Sequence, residues 1–114
     1  MKPRALAAAA GAWLAACSAQ PDALAQACAD VARDHLGLQP GVRVLGPASH
    51  PRPDSVEIRF EGTDGMNLPS GGTAACRFRV ESGQPAALLA ARVNDEGLTD
   101  AEVEAATRSL AAAP

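Results

Sequence analysis

The chain has 114 residues and a formal net charge of −3 at pH 7, and hydrophobic residues make up 47% of it while aromatic residues make up only 3%. This length limits the chain to one domain with one small core. The acidic balance and the scarcity of aromatic side chains exclude a nucleic-acid-binding protein that relies on positive charge or on base stacking.

The first segment of the chain, MKPRALAAAAGAWLAACSAQ, has the pattern of an export signal. Lys2 and Arg4 provide a positively charged start, and residues 5–16 form an unbroken apolar run. The run is too short for a helix that crosses roughly 30 Å of hydrocarbon, and its length is typical of the apolar region of a signal peptide. We therefore expect export and not a transmembrane anchor.

The end of this run, Leu14-Ala15-Ala16-Cys17, resembles the lipobox of bacterial lipoproteins. The resemblance implies that residues 1–16 are a signal peptide removed by cleavage and that Cys17 carries acyl chains, palmitate among them. Ser18, which follows in place of an aspartate, implies sorting to the outer membrane, with the domain facing the periplasm. The alternative is an ordinary secretory signal that is cut nearby, which also exports the chain.

The lipid site lies very close to the folded domain in the sequence. Residues 17–20 are the lipidated cysteine and a short tether, and residues 21–114 are the single domain. An extended stretch of this length spans only roughly 10 Å. We therefore expect a domain that stands near the membrane surface, contacts the membrane through its lipid anchor and has an envelope protein as its partner.

The other two cysteines, Cys28 and Cys76, are an even pair, and an oxidising compartment favours a disulfide between them. A zinc site is the alternative, but His35 and His50 are the only histidines and neither stands at ligand spacing from a cysteine. A CxxC redox motif is also missing from the sequence. The pattern predicts one structural disulfide, no metal and no cofactor.

Hydrophobic periodicity predicts the elements of the domain. A first helix begins at Pro21 and ends at Gly37, with an apolar stripe formed by Leu24, Cys28, Val31 and Leu36. A short strand over residues 42–45 follows, and then a loop over residues 47–53 in which three prolines oppose a regular ladder. The stripe places Cys28 on the buried side of the helix.

Three further strands are predicted by alternating apolar and polar residues, over residues 56–61, 74–81 and 87–93. Cys76 falls on the buried face of the second of these, and Leu89, Ala91 and Val93 share one face of the third. A capping box at Thr99 and Glu102 begins a terminal helix, whose weak apolar stripe is Val103, Ala106, Thr107 and Leu110.

These elements predict an α+β domain in which an N-terminal helix packs on a three- to four-stranded antiparallel sheet, a C-terminal helix follows, and one disulfide joins the first helix to the third strand. The stretch Gly72-Thr73-Ala74-Ala75-Cys76-Arg77-Phe78 resembles a strand of small exported bacterial proteins, and this resemblance implies no activity.

The loop over residues 62–72 is the candidate binding element. It is long for a hairpin and carries Met66, Asn67 and Leu68, two of them apolar, where polar residues are typical. Exposed apolar side chains at this position would contact a partner. The alternative is that they fold back over the open end of the core.

Catalytic patterns are absent from the sequence. His50, with Asp54 four residues on, is a candidate base but has no nucleophile or second acid in a recognisable motif. His35 has the position of a cation at the C-terminal end of the first helix. We therefore expect a non-enzymatic binding or accessory protein close to the membrane, or alternatively a disulfide-stapled inhibitor of an envelope hydrolase.

Overall fold

The computed structural model describes residues 22–112. The signal segment, the lipobox and Cys17 lie outside these residues. The first helix, α1, spans Ala23–Leu36. The Asp22 side chain accepts a hydrogen bond from the Ala25 amide at its start, and Gly37, with a φ of 68°, closes its end in the left-handed conformation that glycine adopts without strain.

A five-stranded antiparallel sheet follows, with the strands side by side in chain order. The strands are β1 (Arg43–Ser49), β2 (Ser55–Thr63), β3 (Pro69–Glu81), β4 (Gln84–Val93) and β5 (Glu96–Gly97). The α+β class is therefore confirmed, but the sheet has five strands where three to four were predicted. The extra strand, β5, is too short to show any alternation, and it pairs with β4 because Asn94 and Asp95 form a hairpin turn with φ values of 50° and 67°.

Two predicted loops are shorter in the structure. β1 continues through Pro47 to Ser49, because an edge strand needs no N–H from proline on its open side, and its pairing with β2 shifts after Leu45. The loop predicted over residues 62–72 contracts to residues 64–68, because Gly62 and Thr63 pair with Ser70 and Pro69. A side chain at Gly71 would meet the Phe60 carbonyl oxygen at 2.5 Å, so glycine permits this close pairing.

The core lies between α1 and one face of the sheet. Phe60, Phe78 and Val56 are its largest fully buried side chains, and the buried face of α1 supplies mainly alanines. The disulfide between Cys28 of α1 and Cys76 of β3 is confirmed, with the two Cα atoms 5.7 Å apart. Helix and sheet are thus covalently joined at the centre of a core with little apolar volume per residue.

The predicted buried face of β4 is correct for Ala91 and Val93 but wrong for Leu89, whose exposed fraction is 48%. Arg77 pairs with Ala90 and Phe78 pairs with Leu88, so Leu89 is an extra residue in a β-bulge. The bulge turns Leu88 inward in its place. Alternation alone could not reveal this, because both leucines fit a buried strand.

The second helix, α2, spans Asp100–Ala112 and packs along the outer side of β4. The predicted capping box is confirmed: the Thr99 hydroxyl accepts from the Glu102 amide at 3.2 Å, and Glu102 accepts from the Thr99 amide at 3.1 Å. The Thr107 hydroxyl bonds both the amide and the carbonyl of Leu88. The weakly apolar side of α2 therefore covers the edge of the sheet at β4.

Candidate functional site

The turn between β2 and β3, residues 64–68, forms the tip loop. The Asp64 carboxylate oxygen Oδ1 accepts hydrogen bonds from the amides of Met66 at 2.8 Å and Leu68 at 3.0 Å. The Asn67 amide donates to the Asp64 carbonyl, and Asn67 adopts a φ of 63°. One aspartate side chain thus organises the whole turn, as short polar side chains do in Asx turns.

A second contact fixes the tip loop to the rest of the domain. The Gln39 side-chain amide, in the connection between α1 and β1, donates to the Asp64 carbonyl at 2.8 Å and to Asn67 Oδ1 at 2.9 Å. The Gln39 backbone amide donates to the Thr63 carbonyl at 2.8 Å. The loop is therefore held by the backbone of β2 and β3 and by a third segment.

The two apolar side chains of the tip loop point into solvent. Met66 is 80% exposed and Leu68 is 56% exposed, and together with Leu89 they are the large exposed hydrophobic residues of the described chain. The alternative, in which Met66 and Leu68 fold back over the core, is thus wrong, because hydrogen bonds hold the loop backbone in a turn that projects them outward. Exposed apolar groups on an ordered loop are typical of contact surfaces.

The tip loop lies at the opposite end of the domain from the start of α1. At one end, the His50 ring contacts both Asp22 and the carbonyl of Ser55, the first residue of β2. At the other end, Gln39, just after α1, contacts the tip loop at the end of β2. The length of β2 separates the two ends by roughly 30 Å at about 3.3 Å per residue.

His50 has a different partner from the one that its sequence neighbourhood suggests. Its Nε2 lies 2.6 Å from Asp22 Oδ2 and its Nδ1 lies 3.1 Å from the Ser55 carbonyl oxygen, while Asp54 contacts Arg77 instead. The hydrogen bond to Asp22 raises the pKa of His50. Both ring nitrogens of His50 face protein oxygens, so the ring joins the start of α1 to the start of β2.

His35 sits in a second, more enclosed arrangement. Its side chain is 10% exposed, and its Nδ1 lies 2.5 Å from Glu102 Oε2 while its Nε2 lies 2.8 Å from Glu96 Oε1. The hydrogen bond to Glu102 raises the pKa of His35, and the same bond lowers the pKa of Glu102. The sequence showed His35 only as a helix-end cation, because its partners are 61 and 67 residues away.

The outer face of the sheet carries mixed charges. Ion pairs join Arg77 to Asp54, Arg79 to Glu81 and Arg43 to Glu61, all at the surface. A shallow hollow of about 290 Å³ lies on this face, with alanines at its floor and charged side chains at its rim, among them Arg52, Glu57, Arg77 and Arg92. This arrangement solvates an open sheet face, as antiparallel sheets commonly require.

Metal-binding groups of side chains are not found within residues 22–112. No set of three or more His, Cys, Asp or Glu side chains in this range is placed to hold a metal ion. In the two histidine clusters, each imidazole nitrogen already faces a protein oxygen, which leaves no ring lone pair for a metal. The described helices also include none with the length and apolar character needed to cross a membrane.

Comparison of the chain with protein-family models, with curated proteins and with solved structures found no match. The tip loop is therefore the candidate site on its geometry alone. It unites the residues that the sequence singled out, Met66, Asn67 and Leu68, with two that it did not, Asp64 and Gln39. Asp64 carried a weak sequence signal as a turn former beside Gly65, whereas Gln39 carried none.

Proposed function

We propose that this chain is a membrane-anchored periplasmic lipoprotein that acts without catalysis, as a binding or accessory protein of the cell envelope, and that the tip loop is its binding element. The observation that carries the proposal is the outward display of Met66 and Leu68 on a turn fixed by Asp64 and Gln39. A pre-ordered loop loses little conformational entropy when it binds.

The position of the tip loop supports the same proposal. In this proposal the acyl chains are attached to Cys17, which precedes α1 by only a short tether in the sequence. Asp22 at the start of α1 contacts His50, whose ring also contacts the first residue of β2, so this end of the domain is closest to the anchor. The tip loop, at the far end of β2, then faces away from the membrane surface, where a partner has access to it.

The chemistry of the tip loop indicates the surface that it fits. Its projecting side chains are apolar and its one carboxylate, Asp64, is occupied by two backbone amides. Charge complementarity therefore contributes little, and the matching surface is an apolar recess on an envelope protein, into which a thioether and an isobutyl side chain insert.

The test compares co-purification from membranes for three forms of the chain. The variant Met66→Asp with Leu68→Asp loses the partner, because burying two carboxylates in an apolar recess is unfavourable. Leu89→Asp is the control, since Leu89 is also a large, exposed apolar residue but lies on the β4 bulge. A partner that is retained by the tip variant, or lost equally with Leu89→Asp, contradicts the proposal.

The alternative function, inhibition of an envelope hydrolase, is favoured by one observation, namely the number of hydrogen bonds that hold the tip loop in a single shape. Inhibitory loops need such rigidity in order to resist turnover. If the co-purified partner is a hydrolase, the wild-type chain suppresses its activity at stoichiometric amounts and the tip variant does not. A hydrolase that stays fully active with the wild-type chain bound supports the accessory role instead.

A further inference from the structure

The cluster of His35, Glu96 and Glu102 joins three elements at the tip-loop end of the domain. His35 lies in the last turn of α1, Glu96 in β5 and Glu102 in the first turn of α2. Glu102 has two roles, because its Oε1 completes the capping box with Thr99 while its Oε2 faces His35. The start of α2 is thus tied to α1 through one imidazole ring.

We propose that His35, Glu96 and Glu102 form a proton-dependent latch that fastens α2 to the rest of the domain, and that loss of the His35 proton loosens α2 from the edge of the sheet. The step is a simple deprotonation: the ring N–H bond breaks, the proton goes to solvent, and the nitrogen keeps the electron pair.

The number of N–H donors on the His35 ring explains why its protonation controls its contacts with Glu96 and Glu102. Ionised Glu96 and Glu102 only accept hydrogen bonds, and an imidazole has an N–H on both nitrogens only when it is protonated. Both distances, 2.5 Å and 2.8 Å, therefore describe an imidazolium between two carboxylates. In the neutral ring, one nitrogen lone pair faces a carboxylate oxygen, so one attraction becomes a repulsion.

The surroundings of His35 favour its protonated form. The cleft between α1 and α2 at this point also contains Asp34, and within the described part of the chain no arginine or lysine lines it. Glu96 from β5 and Glu102 from α2 are the charged groups that contact the ring, while Asp34 pairs with Arg33. The carbonyl end of α1 adds to their effect, since helix C-termini stabilise cations.

Apart from this cluster, α2 has only weak contacts with the rest of the domain, so the latch contributes much of what holds α2 in place. No residue of α2 is fully buried, and its stripe of Val103, Ala106 and Leu110 is only half-buried against the core. Its other polar tie is the Thr107 hydroxyl, which bonds the backbone of Leu88. When α2 moves away from the sheet, the Thr107 hydroxyl no longer bonds the Leu88 backbone, and the edge of β4 becomes accessible to solvent.

The test measures hydrogen–deuterium exchange in the full exported chain between about pH 6 and about pH 9, a range that brackets histidine titration. Exchange is expressed as protection relative to the intrinsic rate at each pH. We expect protection of the α2 amides to fall about tenfold more than that of the β2 and β3 amides, as expected for the loss of one charge-assisted hydrogen bond. If the protection of the α2 amides does not fall selectively, the proposal is overturned.

Three variants separate the latch from general pH effects. His35→Gln replaces the ring with an amide that does not ionise, so the protection of its α2 amides no longer depends on pH. Glu96→Gln serves the same purpose if His35→Gln does not fold, because the Glu96 side chain is 73% exposed and its replacement leaves the core intact. His50→Gln is the matched control and keeps the wild-type pH dependence. The latch is contradicted if the pH dependence of α2 protection persists in both His35→Gln and Glu96→Gln. It is also contradicted if that pH dependence disappears in His50→Gln.

Discussion

Asp22 combines two functions in one side chain at the start of α1. Its Oδ1 accepts from the Ala25 amide at 3.0 Å, which caps the helix, and its Oδ2 contacts His50 at 2.6 Å. Although partial burial acts in the opposite direction, these hydrogen bonds lower the pKa of Asp22. The hydrogen bond that His50 donates to Asp22 in turn raises the pKa of His50, so each group stabilises the charge of the other.

We predict that Asp22→Ala lowers the free energy of unfolding by about 1 kcal/mol, chiefly through the lost cap. The exposed ion pair with His50 contributes at most a few tenths of this amount. Urea unfolding measures the loss, and an NMR titration shows the pKa of His50 returning towards its ordinary value. Asp22→Asn is the control, because it keeps a capping oxygen but removes the charge. An unchanged His50 titration in both variants contradicts the assigned contact.

The sign of the pH dependence follows from the raised pKa of His50. A raised pKa in the folded state means that the pair stabilises the fold fully below the ordinary histidine pKa of 6.5. This contribution disappears as the pH rises through the higher, folded-state pKa. The difference in stability between the wild-type chain and Asp22→Asn is therefore largest in mildly acidic solution and shrinks in alkaline solution.

At the scale of elements, the disulfide compensates for a helix whose buried face consists largely of alanine. Cys28 and Cys76 are 48 residues apart and join the middle of α1 to the middle of β3. Closing a loop of this size in the unfolded chain raises the free energy of the unfolded state by about 4 kcal/mol in the chain-entropy description. This amount is comparable to the whole stability of a small domain.

We predict that the double variant Cys28→Ala with Cys76→Ala is less stable than the wild-type chain by about 4 kcal/mol. Urea unfolding measures the difference, and mass spectrometry of the wild-type chain shows no free thiol on either cysteine. Alanine leaves both buried sites apolar, so the loss reports mainly the crosslink. Equal stability of the variant and the wild-type chain would rule out this role for the disulfide.

The element pattern shows where sequence reasoning succeeds. Both helices and the strands around Val56, Cys76 and Ala91 were predicted because amphipathic periodicity is a local property of the sequence. The bulge at Leu89 and the strand β5 were missed, since each depends on the register of pairing with a neighbouring strand. The extension of β1 through Pro47 likewise depends on its position at the sheet edge.

At the scale of the whole molecule, the fold gives the domain two chemically different ends. The end with Asp22 and His50 follows the proposed lipid site, and the tip loop projects from the other. An antiparallel sheet whose strands run between these ends keeps them roughly 30 Å apart. In the proposed arrangement, the disulfide-linked domain separates the site of anchoring from the site of binding.

We predict that the exported chain carries acyl groups on Cys17 and that Cys17→Ser is found in the soluble periplasmic fraction. Mass spectrometry and membrane fractionation measure these two outcomes. In vesicles of the acylated chain, a fluorophore attached at Arg52→Cys is quenched by quenchers at the lipid headgroups, while one attached at Met66→Cys is not. Equal quenching at both positions contradicts the proposed orientation, and acylation that is absent contradicts the lipoprotein assignment independently.

The sequence by itself determined the α+β class and the pairing of Cys28 with Cys76, because these follow from periodicity and cysteine count, and it singled out Met66 and Leu68 without deciding whether they are exposed. Only the tertiary structure decided which long-range contacts hold the tip loop and α2 in place. Gln39 reaches the tip loop across 28 residues and His35 reaches Glu102 across 67. Such contacts depend on which elements become neighbours, and a single-sequence pattern contains no direct record of distances between residues that are far apart in the chain.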